Sequence, residues 1–226
     1  MTTPGVSSAA RVVVREAELP RELPVIREVH NANRARQATA ERFDWAYLRN
    51  PFGMARAWLA IDEGTGRAVG CGAVHPRRVA VGGRSVDGWT TGDLSVHEAF
   101  RGHGIGLGLR RAAREAIDAG AATLLYSHPN PAAASVHRRA GHLPLGRFVR
   151  LVKLLSVPRG PGWLRAASAW PLRLWGREPA LPAGFEADEV PPGGFGGAFD
   201  DLFDRLAPTL GVAVERQPVE RRHTVV

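Results

Sequence analysis

The sequence predicts an α/β domain in which an antiparallel meander of strands is followed by a strand–loop–helix–strand unit. Three observations carry this expectation. Short β-branched or apolar runs separated by Gly-containing turns fill the first half of the chain. A strong amphipathic pattern then follows a glycine-rich loop near residue 105, and a second helix pattern opens on an Asn-Pro pair after another apolar run.

Taken in order, Arg11 to Glu16 (RVVVRE) reads as the first strand. From Leu23 to about Arg49 the apolar residues Leu23, Ile26, Val29, Phe43, Ala46 and Tyr47 recur at helical spacing, until Asn50-Pro51-Phe52-Gly53 breaks the pattern. Ala57–Ile61, the turn Glu63–Gly66 and Ala68–His75 read as one hairpin. Arg78–Val81, Gly82-Gly83 and Ser85 onward to Val96 read as a second. Ile105–Ala119 is the clearest helix: Ile105, Leu109, Ala112, Ala113, Ala116 and Ile117 share a face, Arg110, Arg111, Arg114 and Asp118 lie off it, and Gly120 ends it. Ala122–Tyr126 is a buried strand, Pro131–Ala140 a shorter helix with Asn130 before it and Gly141 after it, and Leu143–Leu155 a final strand region.

Beyond Pro158 the composition turns rich in Pro, Gly and Trp. The expected organisation is a flexible N-terminus over 1–10, a domain over 11–157, and a linker-like extension over 158–226. Phe199–Leu210 reads as one more helix, and Val212–Val214 could open a second lobe. Trp163, Trp170 and Trp175 alternate with arginines and read either as packing residues or as a membrane-interface stretch. Gly193–Gly197 reads as a flexible joint.

Composition narrows the function classes. No run approaches the roughly 18 apolar residues of a membrane span, and the N-terminal ten residues lack the pattern of a secretory signal. The single cysteine, Cys71, lies in an apolar stretch and fits a reducing cytoplasm. The net charge is +8, and residues 101–160 carry ten basic groups against Glu115 and Asp118. Such a field suits a phosphorylated ligand. Metal-ligand spacing and aromatic-interleaved basic stretches are lacking, so neither a metal nor nucleic acid is expected.

The chemistry concentrates in LSVHEAFRGHGIGLGLRRA. Glycines at 102, 104 and 106 let the backbone turn tightly, and the helix starting near Ile105 adds its positive end, which together suit a pyrophosphate. The GxGxxG fingerprint fails because its last glycine is replaced by leucine, and no Gly-Lys-Ser/Thr exists for a Walker A loop.

Arg101–Gly106 matches the R/Q-x-x-G-x-G/A loop of the Gcn5-related N-acetyltransferases. Leu94-Ser95-Val96 resembles that family's strand ending, and Asn130, Ala133 and Gly141 resemble its downstream helix. The resemblance spans roughly 11–155 and implies a mixed, mostly antiparallel sheet flanked by helices, with the Pro/Gly/Trp-rich segment as a C-terminal extension. It also implies an acetyl-CoA-dependent enzyme that acetylates a primary amine directly. In that reading Leu94, Ser95 and Val96 hold the pantetheine arm and the thioester. The backbone of Arg101, Gly102, His103, Gly104, Ile105 and Gly106 holds the pyrophosphate. Asn130 contacts the arm or caps its helix.

His137 stands where the family often has a tyrosine acid, and reads either as a replacement acid or as a helix-surface residue. Thr90 replaces the glutamate that some relatives use as base, leaving Asp93 and His97 as candidate bases. Phe43, Trp45, Tyr47 and Phe52 line the acceptor pocket or pack the core. The acceptor is a small-molecule or peptide amine, and a homodimer is left open. Two alternatives stand beside this reading: an acyl-CoA-binding module that has lost turnover, and the N-terminal part of a tandem acyltransferase.

Overall fold

A long hairpin forms the spine of the sheet. In the computed structural model, which describes residues 11–146 and 197–214, strand β3 (Ala68–Val81) turns through Gly82-Gly83 into β4 (Arg84–Val96). On one side β2 (Arg56–Asp62) and then β1 (Val12–Glu16) add antiparallel neighbours; on the other, β5 (Leu124–Tyr126) runs parallel to β4. The result is the mixed, mostly antiparallel sheet expected. A parallel neighbour for β4 requires a crossover, and α3 (Ile105–Asp118) supplies it.

The helices cover both faces. Helix α1 (Leu23–Asn31) and the short α2 (Ala40–Phe43), which continues into a π turn over Asp44–Leu48, pack one face. Ile26, Phe43, Tyr47, Leu59 and Cys71 form that core. On the other face α3 packs Ile105, Leu109 and Ala113 against Trp58, Ala60, Val74 and Trp89. Alternation along β2 sends Leu59 to one core and Trp58 and Ala60 to the other, as a period of two demands. Helix α4 (Pro131–Arg139) lies on α3.

The single helix pattern expected over 23–49 is two pieces. Asn31 ends the first: its Nδ2 donates to Ala38 O and its Oδ1 accepts from Ala38 N, both at 2.9 Å, which pins an intervening loop. Asparagine side chains compete for backbone groups in this way. Conversely, the two expected strands on either side of Pro76 are one. β2 leaves β3 at Val74, and a later strand joins it only at Val79, so Pro76 falls where β3 is an edge.

Helix ends follow the sequence signals. Asn130 Oδ1 accepts from Ala133 N at 2.9 Å to cap α4, and Gly120 and Gly141 follow α3 and α4 with φ of +88° each. At Gly141 a side chain would also collide with the Arg114 guanidinium, which crosses over it to donate to Ala140 O.

With the exception of Leu145 and Gly146, the described residues belong to one compact unit. The late helix appears as α5 (Gly197–Leu206) with a 3-10 turn over Ala207–Thr209. The segment expected to open a second lobe instead returns to the main sheet: β6 (Val212–Val214) pairs with Val79–Val81 of β3. The expected strand over Leu143–Leu155 has its described part, up to residue 146, in irregular backbone. Its remainder, the N-terminal ten residues, the tryptophan stretch and most of the 193–197 joint lie outside the described residues.

Candidate active site

A bulge opens the sheet. Cys71 pairs with Ser95 and Ala73 with Gly92, so Gly72 faces two residues, Asp93 and Leu94. Asp93 takes a left-handed φ of +44°, which is uncommon outside glycine. β5 follows β4 only over Gly88–Thr90. Past the bulge, the β4 edge at Leu94–Val96 therefore has no strand beside it among the described residues. The two parallel strands make a fork whose closed end is at Thr90.

The glycine loop follows the open arm of that fork. Gly102 (φ +85°) and Gly104 (φ +79°) both need the left-handed region, and a β-carbon at either would meet nothing within 4 Å. The loop is thus folded tightly and open to ligand. Gly104 precedes α3 without a side-chain cap, and no acid occupies the first helical turn. Uncapped N–H groups at a helix start attract an anion. The Arg101 side chain is used within the protein: Nε donates to Val96 O at 3.1 Å and Nη2 to Asn33 Oδ1 at 2.8 Å. His103 is exposed and Ile105 buried. A β-carbon on Gly106 would lie 3.9–4.0 Å from Leu94, Val96 and Val136 of α4, so helix, strand end and α4 converge there. Ser95 points to the opposite face, its hydroxyl donating to Val29 O at 3.4 Å.

Asp93 anchors a polar cluster on the α1 face. Its carboxylate accepts from Arg42 Nη2 at 2.8 Å, Arg42 Nη1 at 3.3 Å and the Tyr47 hydroxyl at 3.0 Å. His30 Nε2 lies 3.4 Å from Oδ1 and His75 Nε2 3.9 Å from Oδ2. Burial opposes ionisation of Asp93, yet the bonds from His30 and Arg42 and the Arg42 charge outweigh it and hold the carboxyl well below its usual range. Burial pushes the Tyr47 hydroxyl up, with the Asp93 charge adding to it. Burial also pushes His75 below 6.5, against the pull of Asp93.

Proton positions in the cluster follow from its neighbours. His75 Nδ1 faces the Ala46 carbonyl at 3.2 Å, and His30 Nδ1 faces the Asn31 oxygen that already accepts from Ala38 N. Both Nδ1 atoms must carry protons. Burial favours the neutral form of His75, whose Nε2 lone pair then faces Asp93, while His30 Nε2 lies close enough to donate to the carboxylate. A proton added at His75 Nε2 is then shared with the carboxylate.

The other candidates are more isolated. His97 is exposed; its Nδ1 accepts from Ala99 N at 3.3 Å and its ring lies edge-on to Phe100. His137 is buried, its ring edge-on to His142 at 4.8 Å, and its Nδ1 has no partner among the described residues. Burial, then the Arg110 charge, push it down to about 4, so it is neutral at pH 7 and carries no imidazolium proton. Phe43 and Tyr47 stack at 5.4 Å within the core, while Trp45 is partly exposed. The sequence pattern gives no sign of His30, Arg42, Tyr47 and His75 as neighbours of Asp93, and it places Arg110 off the buried face of α3. Arg110 is three residues from both Leu107 and Ala113 and is buried with them. Spacing was its one signal, and its charge argued the other way.

A strand fork closed at one end, with a glycine loop and a bare helix start at the other, sets an open strand edge beside an anion-binding turn. Among solved structures the chain resembles AAC(6')-Iy in complex with the bisubstrate analogue CoA-S-monomethyl-acetylneamine (TM-score 0.51, 17% identity, 63% of this chain and 98% of that one). It also resembles a Trypanosoma brucei acetyltransferase (TM-score 0.49, 19% identity, 63% and 99%). A third is glucosamine-6-phosphate N-acetyltransferase from Arabidopsis thaliana (TM-score 0.47, 12% identity, 63% and 97%). No curated protein matches the sequence. Residues 19–142, more than half of the chain, match the acetyltransferase (GNAT) family, and the chain belongs to that family. Among the described residues no helix is long and apolar enough to cross a membrane, and no cluster of His, Cys, Asp or Glu could hold a metal.

Proposed function

We propose that this chain is an acetyl-CoA-dependent N-acetyltransferase that moves the acetyl group directly to a primary amine of a small molecule or peptide. The fork carries the reading: past Thr90 the β4 edge away from β3 has no strand beside it among the described residues, up to the glycine loop and the bare start of α3. In this reading the pyrophosphate takes the N–H groups of Arg101–Gly106, and the pantetheine arm adds to the β4 edge at Leu94–Val96 as a surrogate strand. A backbone N–H near Val96 polarises the thioester carbonyl. Asn130 acts through its cap on α4.

The amine approaches from the α1 face, where Asp93 provides a buried negative charge for an ammonium. The proton lost by that ammonium goes, through a water, to the cluster of Asp93, His30 and His75. Asp93 alone is too weak a base at its depressed pKa, and the Nε2 lone pair of His75 beside it supplies the missing basicity. His97 is left outside this path.

Calorimetry with acetyl-CoA, followed by thiol release over a panel of amines, tests the proposal. Wild type is expected to bind acetyl-CoA and release thiol with at least one amine class. Gly104→Trp is expected to weaken binding at least ~10-fold and to lower the melting temperature by roughly 2–8 °C without unfolding the domain, because the space around residue 104 is open but an L residue at its left-handed φ costs about 1–2 kcal/mol. No binding by wild type overturns the proposal. Binding with no thiol release across the panel would mark a module that holds acyl-CoA without turnover.

A further inference from the structure

Arg110 is a buried cation that the roles above leave unused. It projects from α3 with 2% of its surface exposed. The bulge explains how it is held. Where the β3–β4 ladder slips, the carbonyls of Ala73 and Gly92 accept from its Nη1 and Nη2 at 3.2 and 3.0 Å. Among the described residues its Nε has no partner, and neither does Nδ1 of the buried His137. The carboxylate that acts on its charge is Asp93, which is already bonded to Arg42 and Tyr47.

Bridging two carbonyls requires donors, not a charge. A buried guanidinium without a contacting anion is costly, and an anion that arrives with a ligand would offset that cost. The position fits such an arrival. Gly92, which Arg110 holds, lies two residues past Thr90, where β5 parts from β4. A β-carbon on Gly72 would lie 3.5 Å from both Leu109 and Leu94 and 3.8 Å from Arg110 Nη1, which sets the guanidinium on the α3 face beside Leu94. Val136 and His137 of α4 close over the same region.

We propose that Arg110 is the positive pole for the CoA thiolate at the closed end of the fork. This rests on the acyl-CoA reading above. The amine nitrogen forms its bond to the acyl carbon, and the carbonyl oxygen holds the displaced electron pair. When the intermediate collapses, the C–S bond breaks and its pair goes to sulfur. The first ammonium proton passes to the Asp93 cluster before attack; as the carbonyl re-forms, the second leaves the nitrogen through water to solvent, and sulfur departs as a thiolate beside Arg110, to be protonated by solvent after release. The chain thereby substitutes a fixed charge for the acid that a neutral His137 cannot be.

The groups facing Arg110 keep the test clean. Tyr47 is raised by burial, and burial pushes the Cys71 thiol up to about 12, so neither ionises between roughly pH 6 and 9. Burial lowers Arg110 itself only to about 10, which leaves it charged. His137 and His142 are both lowered, first by burial and then by Arg110; Arg114 adds to the effect on His142. Cys71 is the chain's one cysteine, so thiolate absorbance in that range reports CoA alone.

The experiment is an ultraviolet difference titration of CoA bound to the full chain, for wild type, Arg110→Met, Arg110→Gln and Arg110→Lys, with CoA affinity and melting temperature measured on each. In wild type the bound thiol is expected to ionise at least ~1 pH unit below free CoA. Methionine or glutamine is expected to abolish most of that shift and to lower kcat on the order of 100-fold, with acetyl-CoA affinity within ~3-fold. Lysine is expected to keep part of the shift. An unshifted thiol in wild type, or an undiminished shift in a folded neutral variant, overturns the proposal. If neither neutral variant folds, loss of the shift in Arg110→Lys overturns it and retention supports it. Failure of wild type to bind CoA at all instead defeats the acyl-CoA reading beneath it.

Discussion

Replacing Gly92 by alanine puts a methyl group where the His75 ring already lies. The new carbon would be 2.7 Å from Nε2 and 2.9 Å from Cδ2. Ordinary contacts at such atoms begin near ~3.4 Å, so ring and strand must separate by roughly 0.5–0.7 Å. Neither yields freely. The ring is buried, edge-on to Tyr47 at 5.0 Å and bonded through Nδ1 to Ala46 O at 3.2 Å. The strand is held by Arg110 through Gly92 O at 3.0 Å. Overpacking of a filled interior costs about 1–3 kcal/mol, and one misaligned hydrogen bond adds about 1 kcal/mol. The entropic gain of Gly→Ala in the unfolded chain returns about 0.4–1 kcal/mol. A net loss of about 1–3 kcal/mol corresponds to a fall of roughly 3–10 °C in melting temperature for a chain of this size. Scanning calorimetry reads the fall. In parallel, kcat with the best amine is expected to drop about tenfold as Tyr47 and Asp93 lose register, with acetyl-CoA affinity within about threefold. An unchanged melting temperature together with unchanged kcat would refute both the steric argument and the coupling of His75 to the site.

Two further substitutions test the charges. His137→Phe removes a ring whose pKa is pushed down to about 4 from 6.5. Below pH 6.5 the unfolded chain binds a proton that the folded chain refuses, so wild type loses stability as pH falls from 6.5 toward 4, by on the order of 2 kcal/mol. Urea unfolding is expected to show that loss in wild type and a flatter profile in the variant; a hundredfold fall in kcat at pH 7.5 would instead restore His137 as the acid. Asp93→Asn acts in the opposite group. The depressed carboxyl stabilises the fold above its unfolded pKa near 3.9, and that contribution is lost as pH drops below it. The variant is expected to be about 2–4 kcal/mol less stable at pH 7, to lose the acid dependence, and to acetylate amines at least ~100-fold more slowly. Wild-type turnover in the variant would remove the cluster from the proton path.

What the sequence allows one to read depends on how local the cause is. Gly102, Gly104 and Gly106 announce the loop because a tight turn before a helix leaves few other residues possible. Asn130-Pro131 and Gly120 mark helix ends for the same reason. The bulge has no such mark. It arises from the register of β3 against β4, and only that register turns Gly92 and Asp93 to the same face. Partners of Asp93 come from 18 to 63 positions away along the chain, from α1, α2, the π turn and β3. Patterning reports which face of an element is buried, but not what it meets there. Arg110 shows the converse limit. Its spacing belongs to the buried arc, and charge alone argued it outward, although two carbonyls freed by the bulge give a guanidinium a place inside.

On the proposed reading, the bulge lets this chain do without the tyrosine acid frequent in the family and the glutamate base of some relatives. A ladder that slips by one residue turns Asp93 toward α1, leaves Leu94 and Val96 on the α3 side, and frees two carbonyls for Arg110. A negative charge and a positive charge then stand on opposite faces of one strand, separated by the backbone that would carry the thioester. Amine deprotonation releases a proton toward the first, and thiolate departure delivers a negative charge toward the second. With Thr90 in the base position and a neutral His137 in the acid position, fixed charges held by strand geometry can serve where the titrating pair is absent. Such a site is expected to lose rate through protonation of the acceptor amine at low pH while showing no decline at high pH until Arg110 titrates near 10. A pH profile of kcat that instead falls near neutrality on its alkaline side would require a titrating acid, and would contradict this division of labour.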